Sequence, residues 1–136
     1  MEKEVYMAPV VAGVALQRDD KFLLVQEKKP HVLGLWNLPA GKVDIGDTIP
    51  QTAIKEAKEE SGFDVKLIRE IDIFQAAPDH AVAHIFEAEI IGGELNFPPE
   101  EIMDARWFSL KEIKEMKDKL RTSWVLEAIE RVIEGR

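Results

Sequence analysis

Glu56, Glu59 and Glu60 crowd into about one turn of any helix drawn through AGKVDIGDTIPQTAIKEAKEESGF, Ala40 to Phe63. At about 100° per residue, Ile49, Ala53, Glu56 and Glu60 fall within roughly 60° of one another, whereas Lys55 and Lys58 point well away. Two carboxylates therefore share the apolar stripe. Isolated carboxylates lose hydration when buried, so a positive group is expected at that face. Unit charges ~4 Å apart repel by about 4 kcal/mol at an effective dielectric of about 20, more than exposed lysine pairs offset. A hard divalent cation, Mg²⁺ or Mn²⁺, answers this repulsion: it takes carboxylate and carbonyl oxygens, keeps waters and is completed by substrate phosphates. The LPAGK loop just upstream can bring the carbonyl of Ala40 to the same ion, and Gly41 permits close approach of the chain. The competing reading of KEAKEE is an ordinary solvated charge run.

The chain around this stretch has 136 residues, 46% of them hydrophobic, enough for one domain, residues 1–136, with a single core. A net charge of -8 disfavours a nucleic-acid polymer or an anionic membrane as the main partner and favours a cation between protein and any anionic ligand. With no Cys, thiolate nucleophiles, thiolate metal sites and disulfides are excluded, and a metal must bind through oxygen or imidazole. The N-terminal MEKEVYMAPV has no basic start followed by a long apolar run, and no segment approaches the ~18 apolar residues of a membrane span. A cytoplasmic location is the expectation.

The elements that must position the acids are legible in outline. VVAGVAL (10–16) and FLLVQEK (22–28) read as strands joined at RDDK into a hairpin. KKPHVLGLWNLPAGK reads as loop with a short extended piece at LWNLP. A helix follows at about 48–61, capped by Asp47 or Thr48, with Pro50 in its first turn and Gly62 at its stop. VKLIREIDIFQAA and AVAHIFEAEII read as two longer antiparallel strands, the second turning at Gly92 and Gly93 into ELNF. ARWFSL is a strand running into a helix over LKEIKEMKDKL with Ser109 as its cap, and a last helix begins near Thr122 or Ser123. The spacing of Trp124, Val125, Ala128, Ile129, Val132 and Ile133 gives that helix a packing stripe, for the core or for a homodimer interface. This order predicts an α/β sandwich with a mixed β-sheet and helices outside it.

The stretch resembles the signature of the Nudix hydrolases: a Gly, five residues, an acid, seven residues, then Arg-Glu, an apolar residue, any residue, Glu-Glu, any residue, Gly and an apolar residue. Gly41 opens it here, and Glu56, Ala57, Glu59, Glu60, Gly62 and Phe63 fit. Asp47 stands where the family usually has Glu, and Lys55 where it usually has Arg. The N-terminal hairpin, WNLPAGKV, ARWFSLKEI and LRTSWVLEAIE look like the NudJ-type phosphatase branch over nearly the whole chain.

The resemblance implies a Nudix-type α/β/α sandwich and metal-dependent hydrolysis of a phosphoanhydride in a nucleoside di- or triphosphate or related small pyrophosphate, by water attack at phosphorus. It implies Glu56 and Glu60 as direct ligands of Mg²⁺ or Mn²⁺, Glu59 joining them directly or through water, and the Ala40 carbonyl completing the set. Asp47 is one methylene shorter than Glu, and Lys55 offers one ammonium in place of a planar fork, so activity is expected to be tuned differently. Asp47 reads equally as an N-cap. A carboxylate outside the signature often serves as general base in the family, which points to Glu101 in the PPEE loop, with Glu100 second; both also read as solvated loop acids.

Trp36, Phe74 and Trp107 offer stacking surfaces for the nucleoside end, although aromatics in strands more often pack the core. Asn37 can read a base edge, Gly41 and Lys42 join the substrate-binding set, and Lys28 and Lys29 can meet phosphates. His31, His80 and His84 are acid–base candidates that more often serve as surface or packed residues. Two alternatives stand beside this reading. An ADP-ribose pyrophosphatase is suggested by Pro78, fifteen residues after Phe63. A non-catalytic nucleotide-binding regulatory module on the same fold is suggested by Asp47 and Lys55.

Overall fold

The computed structural model describes residues 3–135. Strand β1 (Val10–Arg18) and strand β2 (Lys21–Glu27) are the two apolar runs, and Asp19 turns the chain between them with φ 57°. They pair only at the closed end, Gln17 with Phe22 and Arg18 with Lys21, and then part company. β1 goes on to pair in parallel with β6 (Val82–Gly93) and antiparallel with β4 (Ala40–Lys42), while β2 pairs with β3 (Trp36–Asn37) and β7 (Ile102–Ser109). With β5 (Phe63–Gln75) outside β6, these strands form one seven-stranded mixed sheet.

Helices cover both faces. Helix α1 (Ile49–Ser61) lies on one, over a core of Val14, Leu16, Leu23, Ala53, Ala57 and Phe63. Helices α2 (Leu110–Glu115) and α3 (Trp124–Glu134) lie on the other, over Leu24, Leu38, Ile85, Val125 and Ile129. The expected α/β/α layering is therefore observed, and the Trp124 to Val132 stripe is buried in this second core. Among the described residues no helix is long and apolar enough to cross a membrane.

Several elements depart from the sequence expectation. Ala40–Lys42, expected as loop, is a strand, because Gly13 on β1 has no side chain: a Cβ there would lie 2.5 Å from the Ala40 Cβ and 2.6 Å from the Pro39 carbonyl oxygen. Gly92 and Gly93, expected as the turn into ELNF, are the last residues of β6, and ELNF, residues 94–97, leaves the sheet. It crosses behind the end of α1, where Asn96 N–H donates to the Ser61 carbonyl at 2.8 Å and a side chain on Gly62 would strike the Glu94 oxygen. The helix expected over LKEIKEMKDKL stops at Glu115 and tightens into a 3₁₀ turn at Lys117–Lys119. A second 3₁₀ turn, Pro30–Val32, lies in the segment read as loop.

Candidate functional site

Three local features aim α1 at the sheet. Thr48 caps it in a reciprocal box with Gln51, Pro50 sits in the first turn, and Gly62 ends it at φ 83°. Asp47 is not the cap. Ala53 and Ala57 are fully buried, so the helix lies close on β1 and β4 and carries Glu56 and Glu60 against the strand Ala40–Lys42.

That strand receives the two acids differently. Val14 N–H donates to the Pro39 carbonyl and Val43 N–H to the Val10 carbonyl, which makes Ala12 and Gly41 a hydrogen-bonded pair. The N–H and carbonyl of Ala40 consequently point away from β1. The N–H donates to Glu60 Oε1 at 3.0 Å. The Glu56 carboxylate lies against Gly41, where a Cβ would come within 2.3 to 2.6 Å of its three carboxyl atoms. Gly41 is therefore a cradle that only glycine leaves open.

The electrostatics are unfavourable for two bare anions. Burial, then the charge of Glu59, push the Glu56 carboxyl up to about 7, with Glu101 and Asp44 adding to the rise and Lys55 opposing it. Burial pushes Glu60 well above the ordinary carboxylate range, outweighing the bond from Ala40, and Glu27 and Glu56 raise it further. Among the described residues no three Asp, Glu or His side chains converge tightly enough to enclose an ion by themselves. A Mg²⁺-type site does not require that: one or two carboxylates, waters and substrate phosphates are the usual shell. Hard oxygen donors, two desolvated carboxylates and a strand carbonyl facing them fit such an ion.

The remaining candidates divide into those near this centre and those held elsewhere. Glu59 is exposed on the flank of α1 and lines an open groove with Phe97, Pro98 and Glu100. Glu101 is exposed in a loop fixed by Lys28, whose Nζ donates to the Pro99 carbonyl at 2.7 Å and whose N–H donates to the Glu101 carbonyl at 3.2 Å. Lys55 Nζ bridges Asp44 and Asp47 at 2.9 and 3.2 Å, and those bonds raise its pKa. Asn37, Gly41 and Lys42 line a cavity of about 200 Å³ that also takes in Ala40, Lys29 and His31.

Phe74 is not a free stacking surface. It is 6% exposed and stacks on Trp124, 5.5 Å between centroids, because its side of β5 faces α3. Trp36 is 8% exposed and packs edge-on against Phe108. Trp107 lies beneath the Arg18 guanidinium at 5.0 Å. His84 pairs with Glu70 at 3.1 Å, and His80 meets the Tyr6 ring.

Four residues that sequence reasoning passed over line the same cavity: Glu27, Asp79, Arg121 and Thr122. Leu120 forms a parallel bridge with Trp36 and Arg121 N–H donates to the Trp36 carbonyl at 2.7 Å, which lays residues 120–122 along β3. A contact between segments so far apart leaves no local signal.

The NUDIX domain family profile matches residues 7–128. The chain is 33% identical over 116 residues to putative nudix hydrolase 1 of Caenorhabditis elegans, an alignment covering 82% of this chain and 32% of that protein. It is 32% identical over 110 residues to the NAD-capped RNA hydrolase NudC of Pectobacterium carotovorum, covering 81% of this chain and 42% of that protein. The chain thus spans a third to two fifths of the length of these curated relatives. Its structure is similar to that of a NUDIX hydrolase from Nitrosomonas europaea, with a TM-score of 0.82, 27% identity, and 95% and 90% of the two chains covered.

Proposed function

The chain belongs to the Nudix hydrolase family, and on that premise we propose that it hydrolyses a phosphoanhydride bond in a nucleoside diphosphate derivative or related small pyrophosphate, using Mg²⁺ or Mn²⁺. The observation that carries the reading is the placement of Glu56 and Glu60 against β4, each with a raised pKa and with the Ala40 carbonyl on the same side. Glu56, Glu60 and that carbonyl would hold the cation, with Glu59 reaching it directly or through water. When bound, the cation neutralises phosphate oxygens and lowers the pKa of a coordinated water.

The chain's own groups supply the rest. The β4 strand fixes the angle of approach, because Glu60 is tied to Ala40 N–H and Glu56 is seated on Gly41. Water attacks phosphorus and the bridging P–O bond breaks, so the water must lose a proton as the leaving phosphate departs. Glu101 is the proposed acceptor of that proton, on a loop that Lys28 holds near enough for its charge to act on Glu56. Lys55, secured by Asp44 and Asp47, keeps a fixed positive charge beside Glu56. Asn37 and Lys42 line the adjoining cavity and would meet the non-phosphate end.

A small-molecule substrate is part of this proposal. The NudC relative is named for NAD-capped RNA, a polymer carrying a dinucleotide pyrophosphate, so that substrate belongs in the test. Phosphate and nucleotide release would be measured from nucleoside di- and triphosphates, ADP-ribose, NADH, dinucleoside polyphosphates, thiamine-pathway pyrophosphates and NAD-capped RNA, with Mg²⁺, Mn²⁺ or EDTA. Cation-dependent release that vanishes in Glu60→Gln is the expected result. Silence across the panel from folded protein that still binds nucleotide would replace it with the regulatory-module alternative.

A further inference from the structure

We propose that Tyr6 is a positioning residue for the non-phosphate end of the substrate: it straps the turn between β5 and β6 in place and so keeps Asp79 beside Arg121. The inference rests on the reading that this end of the substrate lies in the cavity next to Ala40.

The turn, residues 76–81, holds its own shape. His80 N–H donates to the Ala76 carbonyl at 3.1 Å, Gln75 Nε2 to the His80 carbonyl at 2.7 Å, and Ala81 N–H to Asp79 Oδ1 at 3.2 Å. These bonds hold His80 at φ 55°, a conformation that side chains other than glycine seldom adopt, so the turn responds as one piece. Among the described residues, two polar contacts fasten it to segments outside the hairpin. The Tyr6 hydroxyl donates to the Asp79 carbonyl, with its ring edge-on to that of His80, 6.4 Å between centroids. The Asp79 carboxylate faces the Arg121 guanidinium at 3.9 Å, beyond hydrogen-bond length.

The strap adds little to the fold. Tyr6 is 64% exposed, and Val5 and Met7 beside it are 73% and 84% exposed, so the arm that precedes β1 buries little apolar surface. What it reaches is a wall of the cavity: Ala76, Asp79 and Ala81 from the turn line it, together with Pro9 from the arm itself and Arg121. Arg121 is anchored through its main chain by the 2.7 Å bond to the Trp36 carbonyl. One member of the Arg121–Asp79 pair is therefore fixed by the sheet and the other by an exposed phenol. A shift of about 1 Å in a group that places a ligand is felt at the ligand. The strap thus acts on affinity and leaves Glu56, Glu60 and Glu101 undisturbed.

The test is Tyr6→Phe, which keeps the ring and removes the hydroxyl. In hydrogen–deuterium exchange on the metal-free chain, the amides of His80 and Ala81 are expected to exchange about fivefold faster or more, with those of Thr52 and Gly62 unchanged. Calorimetric titration in Mg²⁺ uses α,β-methylene adenosine 5′-diphosphate, whose bridging carbon cannot be hydrolysed. Its affinity is expected to fall about fivefold, with the unfolding temperature unchanged. In an Arg121→Met background the same change is expected to alter affinity by less than about twofold, because the strap acts through that pair. Unchanged exchange at His80 and Ala81 overturns the inference, as does faster exchange with unchanged affinity. An equal loss of affinity in the Arg121→Met background overturns it as well. Hydrolysis of pyrophosphates without measurable affinity for the analogue overturns the inference and leaves the hydrolase reading standing. The expected pattern of exchange and affinity, with no hydrolysis on any substrate, supports the inference and removes the hydrolase reading.

Discussion

The Ala40 backbone N–H donates a 3.0 Å hydrogen bond to Glu60 Oε1, which ties the C-terminal half of α1 to the edge of β4 turned away from β1. The pairing explains how a carboxyl group with a strongly raised pKa is held in one place. It also means that the strand which positions Glu60 presents its own carbonyl to the same side.

Glu60→Gln preserves an oxygen acceptor for Ala40 N–H while removing the charge. The fold is expected to persist, with an unfolding temperature at pH 7 in EDTA equal to or above that of the native chain. Turnover is expected to fall by about 100-fold or more, as for loss of a principal electrostatic group. Steady-state kinetics and thermal unfolding on the same preparation check both halves.

Without a divalent cation, Glu56 costs stability near neutral pH. Its carboxyl titrates at about 7 in the folded chain against 4.5 ordinarily, so between these values the folded chain binds more protons than the unfolded one. Its contribution to stability therefore falls as pH rises from about 4.5 to 7 and levels off above. Since the group is half-buried and partly screened, Glu56→Gln should be about 1 to 2 kcal/mol more stable than the native chain at pH 7 in EDTA. Mg²⁺ should stabilise the native chain and not the variant; denaturant unfolding at pH 5 and pH 7 reads both effects.

Gly41→Ala places a Cβ 2.3 Å from the Glu56 carboxyl carbon. Glu56 must swing away, so the cation-induced rise in unfolding temperature is expected to shrink and turnover to drop about tenfold or more. The contrasting substitution is Gly46→Ala. Nothing lies within 4 Å of a Cβ there, and the φ of 95° makes its cost one of backbone strain, with cation binding intact.

Lys55→Ala removes two solvent-screened ion pairs, a small loss of stability. Its larger expected effect is on titration, because the Lys55 charge lowers the Glu56 pKa. In the metal-free variant the Glu56 carboxyl should titrate above its native value, visible as an upward shift of its midpoint by NMR.

How far the sequence carried this reading depends on the range of each interaction. Thr48, Pro50 and Gly62 act within one turn, so the bounds of α1 are visible from the chain alone. The acidic face was legible because helical periodicity is local, and Gly41 because close approach demands glycine. The course of residues 94–97 left no local signal, because it depends on Gly62, across the sheet's end. Phe74 was misassigned because no pattern within β5 announces Trp124 as its neighbour. Arg121 and Thr122 reach the cavity through the bridge from Leu120 to Trp36, a tertiary contact with no counterpart in spacing.

The parallel pairing of β1 with β6, from Val10 opposite Val82 to Leu16 opposite Ala88, joins segments with α1 and β4 strung between them. A chain emerging from the ribosome can close its first hairpin early, but the neighbour that flanks β1 arrives only after the whole acidic helix has been made. Closing so long a loop is entropically costly and slows folding. The strand β4 that seats the acids of α1 is thus made before β1 has its parallel neighbour, and the sheet is complete only once β6 has been added.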